Sequence, residues 1–294
     1  MPADRWVPGD GVRLHVRDWG GGGQAVVLLH GLASNCRIWD GVAPRLVAAG
    51  LRTVALDQRG HGESDQPDHG YDFATVGRDL AAAVAALGLA RPLLVGHSWG
   101  GNVVLQYAAD RDDREDLPEA REAPAGLALV DGGFIEVAAW PGMTREKARE
   151  QLAPPRFAVP VEDWLRQAGR WMPPGVNSQD GWVREFLRAG VEVDADGIAR
   201  ARFHFDNHMQ VVDALYEQRP SALYPRVGCP VLLLPAASDE FAALKRPAID
   251  LAAQRLPHAR VVWFEDTVHD IPLQRPDALA AELTRFATEL ASPA

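Results

Sequence analysis

The decapeptide PLLVGHSWGG, residues 92–101, places a serine at a tight turn between two kinds of secondary structure. Pro92 to Val95 form a short apolar run that reads as a buried strand, and Gly100 to Ala109 read as a helix with Val103, Val104 and Tyr107 on its apolar side. Between them, Gly96-His97-Ser98-Trp99-Gly100 predicts a sharp elbow with Ser98 at its tip. The glycines have a steric task there, because side chains two residues either side of a strained serine would collide with the neighbouring strand and helix. A glycine-rich chain can match G-x-S-x-G by chance, and the strand before and the helix after are the context that distinguishes an elbow from a coincidence.

Upstream, Ala25 to Leu29 form a continuous apolar run, the mark of a strand covered on both faces, and it ends in His30-Gly31-Leu32. A turn at that point can aim backbone N–H groups at a reaction centre. Acyl transfer passes through a tetrahedral oxyanion, and an elbow serine is served by the N–H of the following residue together with one from this earlier loop. Those donors are expected to be Trp99 and Leu32. The plainer reading of His30-Gly31 is a turn that ends a strand.

Together with Gln58-Arg59-Gly60-His61-Gly62-Glu63-Ser64, which follows the apolar strand Thr53 to Asp57, these segments resemble the α/β-hydrolase family, and the resemblance runs over nearly the whole chain. Asp72 is a good N-cap for a helix carrying Val76, Leu80, Val84 and Leu87 at helical spacing and closed by Gly88. Strands over Leu127 to Val130, Val231 to Leu234 and Arg260 to Phe264 alternate with helices over Pro247 to Leu256 and from Pro276, the last with Leu279, Leu283, Phe286 and Leu290 on one face. This alternation predicts an α/β fold, a mostly parallel central sheet with helices on both faces. Arg5 to Val7 and Val12 to Trp19 flank Gly9-Asp10-Gly11 as a hairpin that gives the sheet an antiparallel edge.

A serine needs a base, and the base an orienting acid. The resemblance implies that the base is His269, in Glu265-Asp266-Thr267-Val268-His269-Asp270 between the last strand and the last helix, with Val268 standing where the family has glycine. His97 is read as a packing or positioning residue within the elbow, and His15, His61, His69, His204, His208 and His258 as surface or local hydrogen-bonding groups. Asp239 is the first choice of acid, since Ser98, Asp239, His269 follows the chain order of the fold. Asp131, in Val130-Asp131-Gly132-Gly133, is the alternative acid, with a carboxylate that accepts N–H bonds in a glycine turn as its structural reading. Glu240 is a third option.

Simple alternation stops between Gly133 and Ser221, so the expected organisation is a core of residues 1–133 and 221–294 with a helical cap inserted over 134–220. The insertion holds Trp140, Trp164, Trp171 and Trp182 with Phe157, Phe186, Phe203 and Phe205, broken by Pro141, Pro154, Pro155, Pro160, Pro173 and Pro174. Short helices are expected at Thr144 to Leu152 and Glu162 to Met172, and a returning helix at Phe203 to Gln218. Most of these rings are expected to pack within the cap and a minority to face substrate.

The 294 residues suffice for one such domain. A net charge of −10 argues against nucleic acid or an anionic membrane as partner, and the charged stretch Asp110 to Glu122 reads as a solvated loop. Cys36 and Cys229 are the two cysteines, which does not suggest a disulfide framework. With no apolar run of about 18 residues and no leader pattern, a cytoplasmic protein is expected. Gly20 to Gly23 lack the lysine and hydroxyl of a phosphate loop, and no metal-ligand spacing appears. The expected activity is that of a serine hydrolase acting on a carboxylic ester or lactone of a small, largely apolar molecule, with no cofactor. The serine nucleophile disfavours the aspartate-based relatives that open epoxides or remove halides from carbon. Carbon–carbon bond hydrolysis, aminopeptidase or amidase action, acyl transfer and perhydrolysis use the same machinery, and a ligand-binding receptor with slow turnover is the reading of a different class.

Overall fold

The structure is a computed structural model and describes residues 1–110, 123–238 and 241–291. The charged stretch expected to be a solvated loop lies, from residue 111 to 122, outside the described residues, as do Asp239 and Glu240. The chain opens with β1 (Ala3–Pro8) and β2 (Arg13–Gly20), then β3 (Ala25–Leu29), α1 (Ala43–Ala48), β4 (Arg52–Leu56), α2 (Phe73–Ala86), β5 (Leu93–His97), α3 (Trp99–Ala109) and β6 (Gly126–Val130). After a long excursion come β7 to β9 and α4 to α8, whose bounds are given below, and then β10 (Val231–Leu234), α9 (Ala242–Arg255), β11 (Ala259–Val261), α10 (Ile271–Gln274) and α11 (Pro276–Ala291). The main sheet has the order β1-β2-β4-β3-β5-β6-β10-β11. Pairs β1/β2 and β2/β4 are antiparallel and the rest parallel, so the N-terminal hairpin forms the antiparallel edge.

The parallel strands at the centre of the sheet are largely apolar because alternate side chains enter different layers, both of them buried. Val27, Leu29, Leu94, Leu127, Leu129, Val231 and Leu233 join one core with Leu80 of α2, Val103 of α3 and Ile249 of α9. Val26, Leu28, Leu93, Val95, Ala128, Val130, Leu232 and Leu234 join the other with Leu46 of α1 and Leu279, Leu283 and Phe286 of α11. Asp72 caps α2 by accepting from Thr75 N–H, as its position predicts.

The excursion between β6 and β10 contains α4 (Arg145–Gln151), β7 (Val159–Pro160), α5 (Val161–Ala168), α6 (Gly181–Ala189), β8 (Val191–Val193), β9 (Ile198–Ala201), α7 (Phe205–Glu217) and α8 (Pro220–Leu223). Its strands form a small antiparallel sheet of order β7-β9-β8, where the sequence suggested helices alone. The β8–β9 connection is closed by Asp194, whose carboxylate accepts from the Asp196 and Ile198 amides, a local turn chemistry that short strands do not advertise in hydropathy. Met209, Val211, Val212 and Leu215 of α7 belong to the main core, so this helix is packed into the body of the molecule. Boundaries also differ: β11 covers Ala259–Val261 where Arg260 to Phe264 was expected, and α9 starts at Ala242 and carries Pro247 inside it, more than one turn earlier than a proline-initiated helix would. The ring at that point costs the helix one hydrogen bond and does not end it.

Candidate functional site

The site forms beyond the C-terminal ends of the parallel strands, where a parallel α/β sheet gathers its loops. Ser98 follows β5 with φ 54° and ψ −123°, the strained conformation expected at the tip of an elbow. A Cβ on Gly96 would overlap the Gly100 carbonyl, and one on Gly100 would lie 2.6 Å from the His30 carbonyl oxygen. A Cβ on Gly132 would overlap the Ser98 carbonyl, and one on Gly31 would sit 3.0 Å from Ser98 Cβ. Bare backbone therefore surrounds the serine on several sides. Ser98 N–H donates to the Val130 carbonyl (2.9 Å), which ties the elbow to β6.

His269 Nδ1 lies 2.6 Å from Asp131 Oδ2. The same carboxylate accepts from Ala236 N–H at Oδ1 (2.9 Å) and from Lys245 Nζ at Oδ2 (2.6 Å). The acid seen against the histidine is thus Asp131, the alternative of the sequence reading, whereas Asp239 lies outside the described residues. Burial alone would raise the Asp131 pKa, but the bonds and charges of His269 and Lys245 outweigh it and hold the carboxyl below its ordinary range. For His269 burial would lower the pKa, and the Asp131 carboxylate reverses this and raises it above 6.5. His269 and Ser98 face one cavity without a hydrogen bond between them, which is common in an unliganded site.

Neighbouring groups hold these parts in place. His97 Nε2 donates to the His269 carbonyl (3.0 Å) and the two rings stand 4.8 Å apart, so the positioning reading of His97 has a concrete contact. Burial and the adjacent His269 charge push the His97 pKa down to about 4, which leaves the ring neutral. Val268 N–H donates to Gln274 Oε1 (2.9 Å), and Val268 is not left-handed, so the loop closes without a glycine there. Asn102 of α3 accepts from Gly133 N–H and donates to the Ile135 carbonyl, both at 2.8 Å, stapling the Asp131 loop to the helix behind the elbow. Lys245 and Asn102 were not foreseen, because a lysine or asparagine within a helix carries no local signal of a partner more than thirty residues away.

The Trp99 and Leu32 amides have no hydrogen-bond acceptor among the described residues, and both residues line the cavity with Ser98. That cavity measures about 450 Å³ and is walled mainly by apolar side chains, among them Phe134, Val137, Trp140, Leu215 and Phe241. Of the tryptophans in the excursion, Trp140 is the one that lines it. His15, His61 and His208 are buried, which corrects the surface reading for them and leaves the local hydrogen-bonding one.

One further cluster has donor atoms close enough to consider a cation: His15, Cys36 and Asp57, with one atom of each within 4.8 Å of the others. Its atoms are already engaged. His15 Nδ1 bonds to Asp57 Oδ2 (2.7 Å), its Nε2 faces Asp4 (3.1 Å), and Cys36 N–H donates to Asp57 Oδ1 (2.7 Å). Burial and the Asp57 charge push the Cys36 thiol well above its ordinary pKa, so it is a neutral thiol and a poor ligand. The cluster is a hydrogen-bonded brace. No disulfide joins Cys36 to Cys229. Among the described residues no helix is long and apolar enough to cross a membrane.

Residues 26–282 match the model of a family described as the alpha/beta hydrolase family. A non-heme haloperoxidase of Rhodococcus erythropolis is 42% identical over 290 residues, covering 94% of this chain and 96% of the relative. A non-heme chloroperoxidase of Burkholderia pyrrocinia is 27% identical over 283 residues, with 94% and 96% covered. Among solved structures, E-2-(acetamidomethylene)succinate hydrolase is similar in fold, with a TM-score of 0.78 at 23% identity over 98% of this chain and 100% of that one.

Proposed function

We propose, from the premise that this chain belongs to the alpha/beta hydrolase family, that it is a serine hydrolase cleaving a carboxylic ester or lactone of a small, largely apolar molecule. The observation that carries the reading is the 2.6 Å contact of His269 Nδ1 with Asp131 at the rim of the cavity that Ser98 also lines. With Nδ1 engaged by the carboxylate, Nε2 is the free acceptor. Ser98 Oγ attacks the carbonyl carbon while His269 Nε2 takes its proton. The carbonyl oxygen gains the electron pair and meets the Leu32 and Trp99 amides. Collapse expels the alcohol, which receives the proton from His269, and water repeats the cycle on the acyl-enzyme to release the acid. Asp131 fixes the imidazole tautomer and stabilises its cation, and the segment 134–220 walls the cavity as a cap that selects substrate. The chemistry asks for no cofactor.

The 42% identity to a non-heme haloperoxidase favours a second reading on the same groups, in which hydrogen peroxide replaces water in attacking the acyl-enzyme and a peroxy acid is released. A panel of p-nitrophenyl esters of rising chain length, lactones and aminoacyl amides, run with and without peroxide and with a fluorophosphonate label on Ser98, tests both. Ester or lactone turnover lost on labelling supports the proposal, whereas an unlabelled serine or turnover confined to amides overturns it.

A further inference from the structure

The loop after β3 makes a turn that its sequence does not favour. Ser34 N–H donates to the Gly31 carbonyl (3.3 Å), so Leu32 and Ala33 are the central residues, and Ala33 has φ 57°. A positive φ at the second central residue is the type II arrangement, a position that belongs to glycine. Alanine there is strained and would relax by rotating the peptide between Leu32 and Ala33. Something outside the turn has to hold that peptide.

The holder is His61. Its Nδ1 lies 2.9 Å from the Arg59 carbonyl, which can only accept, so Nδ1 carries the proton and Nε2 a lone pair. That lone pair faces Ala33 N–H at 3.1 Å. Arg59 is in turn locked by Asp79, with contacts of 2.5 and 2.8 Å, so the segment presenting His61 is rigid. The ring stacks on Phe203 at 3.8 Å and packs near Trp99 at 5.4 Å. One buried imidazole therefore touches the loop of one amide, the ring of the residue bearing the other, and a side chain from the excursion between β6 and β10.

We infer that His61 is a positioning residue of the oxyanion hole: by accepting from Ala33 N–H it keeps the Gly31–Ser34 turn in its strained form, and so holds in place the segment whose first peptide, Gly31–Leu32, carries the amide offered to the carbonyl oxygen attacked by Ser98. The inference rests on the acyl-transfer reading for its kinetic meaning, while the state of the turn can be read without it. Burial keeps His61 neutral, as an acceptor at Nε2 must be.

Three variants test it. His61→Phe keeps a ring against Phe203 and Trp99 but removes the acceptor, His61→Gln retains an acceptor, and Ala33→Gly placed in the His61→Phe background removes the strain that makes the holder necessary. A single oxyanion donor is worth about 10² to 10³ in kcat, so its partial misplacement in His61→Phe should lower kcat by roughly 10- to 100-fold with KM little changed. His61→Gln and the added Ala33→Gly should each recover most of that loss. Amide hydrogen exchange at Ala33 and Ser34, the two bonded amides of the turn, should be fast in His61→Phe and slow in the wild type. Exchange that is unaltered in His61→Phe overturns the inference whatever the catalytic activity, and so does a kcat within twofold of wild type or a kcat loss that neither companion variant repairs. A wild type that turns over no ester while its exchange responds to His61→Phe would refute the acyl-transfer reading and leave His61 as the holder of the turn.

Discussion

Replacing Asp131 by asparagine should abolish turnover for a reason that can be traced donor by donor. The carboxylate receives Ala236 N–H at one oxygen and both Lys245 Nζ and His269 Nδ1 at the other. An amide has one oxygen to offer these three donors. If that oxygen stays with Ala236, the NH₂ faces His269, and the imidazole can pair with it only by moving its proton to Nε2, the atom that must accept from Ser98. If the amide turns over, its NH₂ meets the Ala236 N–H and one buried donor loses its partner. The productive tautomer is lost or its support is removed, which in a comparable triad costs about 10⁴ in kcat, or about 5.5 kcal/mol of barrier. The buried ion pair of Asp131 with Lys245 is weakened as well, so a loss of stability on the order of 1 to 3 kcal/mol accompanies the kinetic effect, a fall in Tm of a few degrees. Ester turnover below the variant's melting transition, with circular dichroism to establish the folded fraction, measures both. An Asp131→Asn protein that is folded and within tenfold of wild type refutes the reasoning, and if Asp239→Asn is the dead variant instead, the acid follows β10.

Ser98→Ala should lower turnover by about 10⁶ with a Tm within about 2 °C of wild type, since the surrounding glycines and not the hydroxyl shape the elbow; residual activity near wild type would remove the serine from the mechanism. Because His269 must be neutral to accept a proton and Asp131 raises its pKa, kcat/KM on a neutral ester should climb with pH along a limb whose midpoint lies above 6.5, and a midpoint below 6.5 contradicts the pairing. In Asp131→Asn any residual activity should show that limb displaced to lower pH, since the group that raised the pKa has gone. Trp140 stacks on Phe241 at 5.7 Å, and with Leu244 the two rings separate the cavity from an adjoining groove of about 310 Å³. Trp140→Ala should therefore favour longer acyl chains, raising the ratio of long- to short-chain kcat/KM by about tenfold, and an unchanged ratio would mean that this ring is not part of the wall.

The parts of this molecule written in local sequence were readable from it. The run Ala25 to Leu29 is β3 to the residue, and the elbow lies between β5 and α3 because a buried strand, paired glycines and an amphipathic helix each leave a periodic or steric trace. The choice between acids left none. Ser98, Asp131, His269 and Ser98, Asp239, His269 obey the same chain order, and the contact of Asp131 with His269 depends on β6 lying beside β5 in the sheet, which no local pattern records. Lys245 was hidden for a related reason, since its contact joins α9 to a loop 114 positions earlier. The small sheet of the excursion escaped because a two-residue strand such as β7 is too short to show alternation.

Bare backbone around Ser98 divides the molecule's capacity for change into two compartments. Gly96, Gly100 and Gly132 lie where almost any replacement must displace main chain around the serine, and a side chain on Gly31 would press on that of Ser98. The far walls of the cavity are side chains such as Val137, Leu215 and Leu244, where exchanging one apolar shape for another alters volume and leaves the reacting atoms in place. Substitutions arriving at random would be lethal on the floor and exploratory on the walls. A lineage built on this plan can move from one substrate to the next in small steps, each intermediate still able to perform the reaction, which is the condition for diversification without an inactive ancestor in between.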